Sequence, residues 1–358
     1  MSIHPSEQTL EVESGALSAT AARLAAWISS GACQALSGAF VAWVALTDGT
    51  RAFDYPEITG YALTYLAARP VLSERESAAG HRAAEWLDER IRSRNLAARD
   101  GWDNGAVYLF DLGVIASGLL TFGGRTGTER FVDSGLHLVG FLERELTAAG
   151  PPAAVARSGP PSSRANWSTR GQPHLTKLVQ AFLLADELGS PVARSASARI
   201  IDAAKSSQED DGSFCTDPGD ATVMLHPHLY SAEGLWVWGT AVGDEDALDR
   251  ARAAVDWVWT HQLANGGLPA RAHGTDEQSD VTAQAVRLAF ALDLPSEAQA
   301  QALERMNEIA VGDERGLGLP YQPDSPDVHV NTWATLFATQ SFALAAPDAR
   351  PVRWPEWI

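Results

Sequence analysis

The sequence predicts an all-α fold, a closed ring of six inner helices wrapped by six outer helices. Three observations predict it. First, six segments share one form, a polar or His/Asp-containing start followed by an apolar, small-residue-rich run. Their starts fall about 50 to 65 residues apart, which is room for a helical hairpin and its loops. Second, between them lie charged stretches with one apolar stripe, as an outward-facing helix requires. Third, few segments read as strands. An inner helix that is apolar on nearly every side must be covered on both flanks, so the hairpins have to close on one another.

The inner set comprises residues 55–69, 106–123, 171–189, 227–243, 279–293 and 329–345. Each lacks the charged face of a surface helix. The outer set comprises residues 73–94, 127–146, 190–207, 244–263 and 295–311, with an N-terminal helix at 18–36 as the sixth partner. Pro, Gly and Ser mark the joints. They are densest at residues 148–170, "PPAAVARSGPPSSRANWSTR" at its heart, a long loop of the kind that serves as a lid. We read residues 1–358 as one domain.

The 358 residues are 45% hydrophobic, enough for a large core. The formal net charge of -18 argues against binding nucleic acid or an anionic membrane surface. Two distant cysteines, Cys33 and Cys215, support neither a cysteine zinc cluster nor a disulfide framework. The opening "MSIHPSEQTLEVES" lacks the basic and apolar regions of a signal peptide, and no apolar run reaches the ~18 residues of a spanning helix. A bacterial cytoplasmic location is expected, with a small-molecule partner and a homodimer as the assembly to consider.

One local motif sharpens the fold. "RAAVDWVWTHQLANGGL" (252–268) places Gln262, Gly266 and Leu268 after the Trp257–Val258 pair. "SSQEDDGSF" (206–214) repeats it with Gln208, Gly212 and Phe214, and "HRAAEWLDER" (81–90) keeps the front half. This resembles the glutamine-tryptophan repeat of squalene-hopene cyclases and protein prenyltransferases. The glutamine can tie a helix end to the next turn, and glycine permits φ > 0 there. With the hairpin pattern, nearly the whole chain is similar to the (α/α)6-toroid superfamily. That resemblance also takes in six-hairpin glycosidases, unsaturated-uronide hydrolases and sugar 2-epimerases.

In such a ring the inner N-termini surround one end of a central funnel, where helix dipoles favour anions. Candidate lining residues are therefore those opening the inner helices. The first gives Tyr55, Glu57 and Tyr61; the second Asp103, Asn104, Tyr108 and Asp111. The third gives Trp167, Arg170, His174 and Lys177; the fourth His226, His228, Tyr230 and Glu233. The fifth gives Asp280 and Gln284, and the sixth His329, Asn331 and Trp333. Aromatics that stack on sugar rings and polar groups that bind hydroxyls make a carbohydrate site.

Glu57, Asp111, Glu233, Asp280 and His228 are the catalytic candidates. Asp111 and Glu233 stand inside apolar runs, where a carboxylate is costly unless paired or lining a cavity. Glu57 and Asp280 also suit the first turn of a helix. Tyr55, Tyr61, Tyr108, Trp167, Arg170, His174, Lys177, His226, Tyr230, Gln284, Asn331 and Trp333 are the binding candidates. His226 and His228 lack a third ligand at zinc spacing, so neither metal nor cofactor is expected.

A sugar-processing, glycosidase-like hydrolase needs two such carboxylates. An isoprenoid cyclase is the alternative, but its Asp-x-Asp-Asp motif is missing, "DVHVNTWA" (327–334) lacking the acidic centre. A sugar epimerase and a non-catalytic glycan-binding toroid are the others. The expected ligand is accordingly a sugar, uronide or isoprenoid.

Overall fold

The computed structural model describes residues 7–93, 106–146, 155–157, 167–191, 193–326, 328–346 and 349–358. Most of the 148–170 segment, and with it the lid expectation, lies outside the described residues, as do Asp103 and Asn104.

The inner helices are α2 (Pro56–Ala68), α4 (Leu109–Thr126), α7 (Leu178–Glu187), α9 (Leu225–Val242), α11 (Ser279–Ala291) and α13 (Thr332–Leu344). A 3-10 turn, Pro173–Lys177, leads into α7, and a four-residue turn α6 (Trp167–Arg170) precedes it. The outer helices are α1 (Glu7–Ser29), α3 (Glu74–Arg92), α5 (Glu129–Leu146), α8 (Ala193–Ser207), α10 (Glu245–Trp259) and α12 (Glu297–Ile309). Each inner helix packs on the next, and α13 packs back on α2, so the ring closes. Each outer helix from α3 onward covers the inner helix before it, while α1 covers α13.

The physical reason for the two helix populations is visible in burial. Every residue from Pro56 to Leu66 of α2 is buried, whereas α5 buries one stripe, including Phe131, Leu138 and Leu142. Caps mark the outer starts: Ser73 and Glu76 form a reciprocal capping box on α3, and Asp244 and Ser296 cap α10 and α12. None of the described helices is long and apolar enough to cross a membrane.

Two boundaries differ from expectation. The N-terminal helix spans 7–29 rather than 18–36, because Gly31 turns left-handed at φ 74° and the chain folds back. Residues 106–108 are not helical. They form strand β2 (Ala106–Tyr108), antiparallel to β3 (Val155–Arg157). Another small ladder joins the chain's ends: β1 (Trp43–Ala45) pairs with β6 (His329–Asn331), Trp43 opposite Asn331. A hairpin, β4 (Val311–Asp313) and β5 (Gly316–Gly318), packs on α1.

The glutamine motif works as its chemistry suggests. Gln262 Nε2 donates to the Gly266 carbonyl at 2.9 Å and to Ala298 of α12 at 2.7 Å. Gln208 Nε2 does the same with Gly212 at 3.0 Å and Arg250 of α10 at 2.9 Å. Gly266 has φ 87° and sits where a Cβ would lie 2.7 Å from the Gln301 carbonyl, so only glycine fits. A further copy, Gln34–Gly38–Phe40, ties the end of the α1 segment to Ala79 of α3 at 2.9 Å. Its aromatic–aliphatic pair, Trp27–Ile28, stands seven residues before the glutamine rather than five, which hides the copy in the sequence.

A loop residue ahead of each of four inner helices, the closing residue of the motif in three of them, is held by that helix. Phe40 N–H donates to Thr59 Oγ1 at 3.0 Å, and Leu268 N–H to Thr282 Oγ1 at 2.9 Å. Leu319 N–H donates to Thr335 Oγ1 at 3.0 Å, and Phe214 N–H to His228 Nδ1 at 3.3 Å. His228 therefore does the work of a threonine, as the brace between an inner helix and its preceding loop. Its Nε2 lies 3.0 Å from the Ala254 carbonyl of α10, its natural acceptor.

The chain's segment Trp354–Ile358 completes the interior. It enters the ring from the end opposite the inner N-termini and buries Trp357 against Trp236, ring centroids 4.6 Å apart.

Two outcomes follow from this packing. Trp357→Ala should cost about 3–5 kcal/mol by leaving a large void, read from urea unfolding at constant m-value. The second concerns acid. Burial, the largest cause, holds His228 at about 4 instead of 6.5. The unfolded chain then binds the extra proton below pH 6.5, so stability present at neutral pH falls as pH drops toward 4. The loss is up to about 3 kcal/mol from this group. Unfolding midpoints between pH 7 and 4.5 should show this slope, and His228→Asn should make it shallower by this group's share while the buried His174 and His226 keep theirs.

Candidate active site

A periodic rule places the site. In every inner segment the residue two past the N-cap faces the bore. With N-caps at Tyr55, Tyr108, Gln172, Met224, Gln278 and Asn331, these are Glu57, Phe110, His174, His226, Asp280 and Trp333. All six line one funnel-shaped cavity of about 440 Å³. One turn deeper, six past the cap, come Tyr61, Val114, Leu178, Tyr230, Gln284 and Phe337. Two turns deeper, nine past the cap, come Glu233, Arg287 and Gln340. Offsets of 2, 6 and 9 recur on a single helix face, so the bore is built in layers.

The top layer carries the chemistry. Asp111, Tyr55, Tyr108, Trp167, Tyr230 and Asn331 join it on the cavity wall. Asp280 is 1% exposed and does not cap its helix. Its Oδ2 accepts from Trp333 Nε1 at 3.1 Å and lies 3.4 Å from His226 Nδ1. Its Oδ1 is buried without a hydrogen-bond partner. Asn331 spends its Oδ1 on the Ala334 N–H at 3.0 Å, so it is first a helix cap.

Burial disfavours the charged form of two imidazoles, His174 and His226. Burial pulls His174 down to about 3, with the nearby His226 adding to the effect, and neither ring nitrogen has a hydrogen-bond partner. Burial also lowers His226, although Asp280 and Glu233 pull the other way. Trp167 stands edge-on to both rings, at 5.2 Å from His174 and 6.4 Å from His226. His226 in turn lies 4.4 Å from the Tyr230 ring. A ligand entering here meets aromatic faces, imidazole nitrogens and carboxylates.

The middle layer closes the floor. The Tyr61 and Tyr230 hydroxyls meet at 3.0 Å, and burial raises both phenols well above their ordinary value. Gln284 is fully buried near His226 and Glu233, with no hydrogen bond of ordinary geometry.

Several expectations are thereby corrected. His228 points away from the funnel because it braces the preceding loop against α10. Glu233 lies below the floor, paired with Lys177 Nζ at 2.8 Å and with the Arg287 guanidinium. Burial would raise its carboxyl, but Arg287 and Lys177 outweigh it and lower it. Lys177 is spent on that pair and is not free for a substrate anion; burial brings it down to about 8. Arg170 turns outward to Asp217 at 2.6 Å. Tyr61 and Gln284 belong to the middle layer and do not line the cavity.

Trp43, Phe53, Phe110 and Tyr321 line the cavity and were not anticipated. Phe110 could have been found from the cap offset. Trp43 and Tyr321 could not, since each lies more than ten residues before the next inner helix in sequence and only the folded loops bring it to the rim. Among the described residues, no group of three or more His, Cys, Asp or Glu is placed to hold a metal ion.

No protein-family model matches the chain, and no curated protein matches it. Solved structures do. An unsaturated glucuronyl hydrolase from Bacillus sp. GL1, described as responsible for glycosaminoglycan degradation, superposes with TM-score 0.70 at 12% identity, covering 92% of this chain and 97% of its own. A glycosidase in complex with glucose gives TM-score 0.64 at 15% identity, covering 95% and 100%. Cellobiose 2-epimerase from Bacillus thermoamylovorans B4167 gives 0.69 at 11%, covering 87% and 93%. At these identities the likeness establishes the architecture: the chain has the (α/α)6-toroid fold.

Proposed function

We propose that the chain is a sugar-processing hydrolase that cleaves a glycosidic bond in the funnel, with Asp280 and Asp111 as its working carboxylates. One observation carries this reading: Asp280 Oδ1, buried and unpartnered in an aromatic-lined cavity. An orphaned buried acceptor is costly, and a ligand hydroxyl or water supplies the missing donor. Trp333 and His226 fix the other oxygen, so the free one is aimed.

The ring order supports Asp111 as the partner. In the closed ring α2, α4, α7, α9, α11, α13, helices α4 and α11 are three steps apart and both aspartates line one cavity, which supports reading Asp111 as the partner across from Asp280. Neighbouring axes about 8–10 Å apart put opposite axes roughly 16–20 Å apart. Each aspartate reaches about 5 Å inward, counting a Cα radius of about 2.3 Å. About 6–10 Å remains, the separation of inverting glycosidases, wide enough for a sugar and a water.

Asp111 then gives its proton to the glycosidic oxygen as the C–O bond breaks. Asp280 takes a proton from the water that attacks the anomeric carbon from the other face. Glu57, His174 and His226 bind hydroxyls, and Trp167 stacks on a ring. The sugar class is supported by the solved structures that share the fold, among them an unsaturated glucuronyl hydrolase, a glycosidase in complex with glucose and cellobiose 2-epimerase.

Aryl glycosides, disaccharides and unsaturated uronyl disaccharides should be screened, with the product anomer read by proton NMR. Asp280→Asn and Asp111→Asn should each lower kcat/KM by about 10²–10⁴-fold with folding intact. The first-formed anomer should be inverted. Retention, or no turnover of any of these by the wild-type chain, would overturn the reading. Trp167→Ala should raise KM by about tenfold with kcat little changed, since stacking binds ground and transition states alike.

A further inference from the structure

Below the funnel floor lies a polar cluster that the proposed reaction does not use. Glu233 is fully buried against two cations, Lys177 and Arg287. One carboxylate facing two buried cations leaves positive charge in a low-dielectric interior, which is costly unless further acceptors are aimed at it. The chain supplies them from its own segment Trp354–Ile358. The Ile358 carbonyl oxygen accepts from Lys177 Nζ at 2.9 Å and from Arg287 Nη1 at 2.5 Å. Gln180 Nε2 donates to the Trp357 carbonyl at 2.8 Å. The Arg287 guanidinium is stacked between Phe337, at 3.8 Å, and Trp357, at 4.5 Å. Trp357 and Ile358 are 0% and 1% exposed.

The same cluster touches the funnel from beneath. Gln284 sits on the layer between Glu233 and His226, buried and without a bond of ordinary geometry. Its amide still acts on both neighbours, His226 above and Glu233 below, and so links the two layers. We infer that Trp354–Ile358 is a positioning segment for the funnel. Seated in the bore, it holds Arg287 and Lys177 against Glu233 and so fixes the Gln284–His226 wall above them. This role goes beyond the hydrolase reading and does not depend on it.

The test uses the funnel's own imidazole as reporter, without any sugar. His226 is faced by Asp280 and Arg287 of α11, by Glu233 of its own helix and by His174 of the third segment, and burial is the largest influence on it. If the segment leaves, water enters the bore and burial relaxes, so the imidazole binds its proton more readily. Histidine-labelled full-length protein is titrated by NMR, His226→Asn assigning the signal. Gln180→Leu removes the amide anchor at similar size, and release of the segment is scored by faster hydrogen exchange at the Trp357 and Ile358 amides, about tenfold or more. A chain shortened after Arg353 gives the same comparison with the segment gone.

The expected result is a His226 midpoint moved upward by about half a pH unit or more, with His81 on outer helix α3 unmoved. A released or deleted segment in a folded chain with His226 unmoved overturns the inference. The shortened chain decides if Gln180→Leu leaves the segment seated, and Gln180→Leu decides if the shortened chain does not fold. A sugar screen that finds no substrate bears on the hydrolase reading alone.

Discussion

Ring closure is the constraint on which everything else rests. An inner helix such as α2 is buried on every side from Pro56 to Leu66, and no single hairpin could cover it. Stability comes only when α13 meets α2 and each helix has two inner neighbours and one outer cover. Closure also explains the small ladder between Trp43–Ala45 and His329–Asn331, which joins the first loop of the chain to the last inner helix. It explains the repeated glutamine clamps too. Each one fixes the distance between an outer helix end and the next outer helix, so the step around the ring stays constant.

A closed ring of parallel helices has two unlike ends, and the bore reflects that. At the N-terminal end, uncapped amides and helix dipoles tolerate carboxylates, and there the cavity opens beside Glu57, Asp111 and Asp280. Deeper in, the surroundings turn apolar and charges must be paired. Glu233 is met by Lys177 and Arg287 there, with cation–π contacts from Arg287 to Phe337 and Trp357. Buried ion groups of this kind are poor sources of net stability but strong specifiers, because breaking one member leaves the others uncompensated. Two carboxylates in one bore thus have opposite fates. Asp280 keeps an oxygen unfilled at the mouth, and Glu233 has both oxygens engaged below the floor.

Much of this was legible in the residues. The alternation of fully apolar and one-striped helices gave six inner and six outer members with boundaries mostly within a few residues. The polar starts of the inner helices marked the funnel, and Glu57, Asp111, His174, His226 and Asp280 do line one cavity. What could not be read was which polar residue points inward and which braces a loop. His226 and His228 are two residues apart, and helical geometry turns them to opposite sides. Only the loop at Phe214 and the carbonyl of Ala254 make His228 a brace, and both are far off in sequence. Glu233 looked like a mouth residue until its depth, nine past the cap at Met224, became known.

The sequence by itself determined the helical period, the number of hairpins and the need to close them, because these follow from apolar spacing along a local segment. Tertiary structure alone decided the pairings: Asp280 with Trp333 and His226, Glu233 with Lys177 and Arg287, and the seat of Trp357 in the bore. Those contacts join residues tens to more than a hundred positions apart. Their formation depends on ring curvature and on the rotation of each helix about its axis, neither of which any one segment encodes.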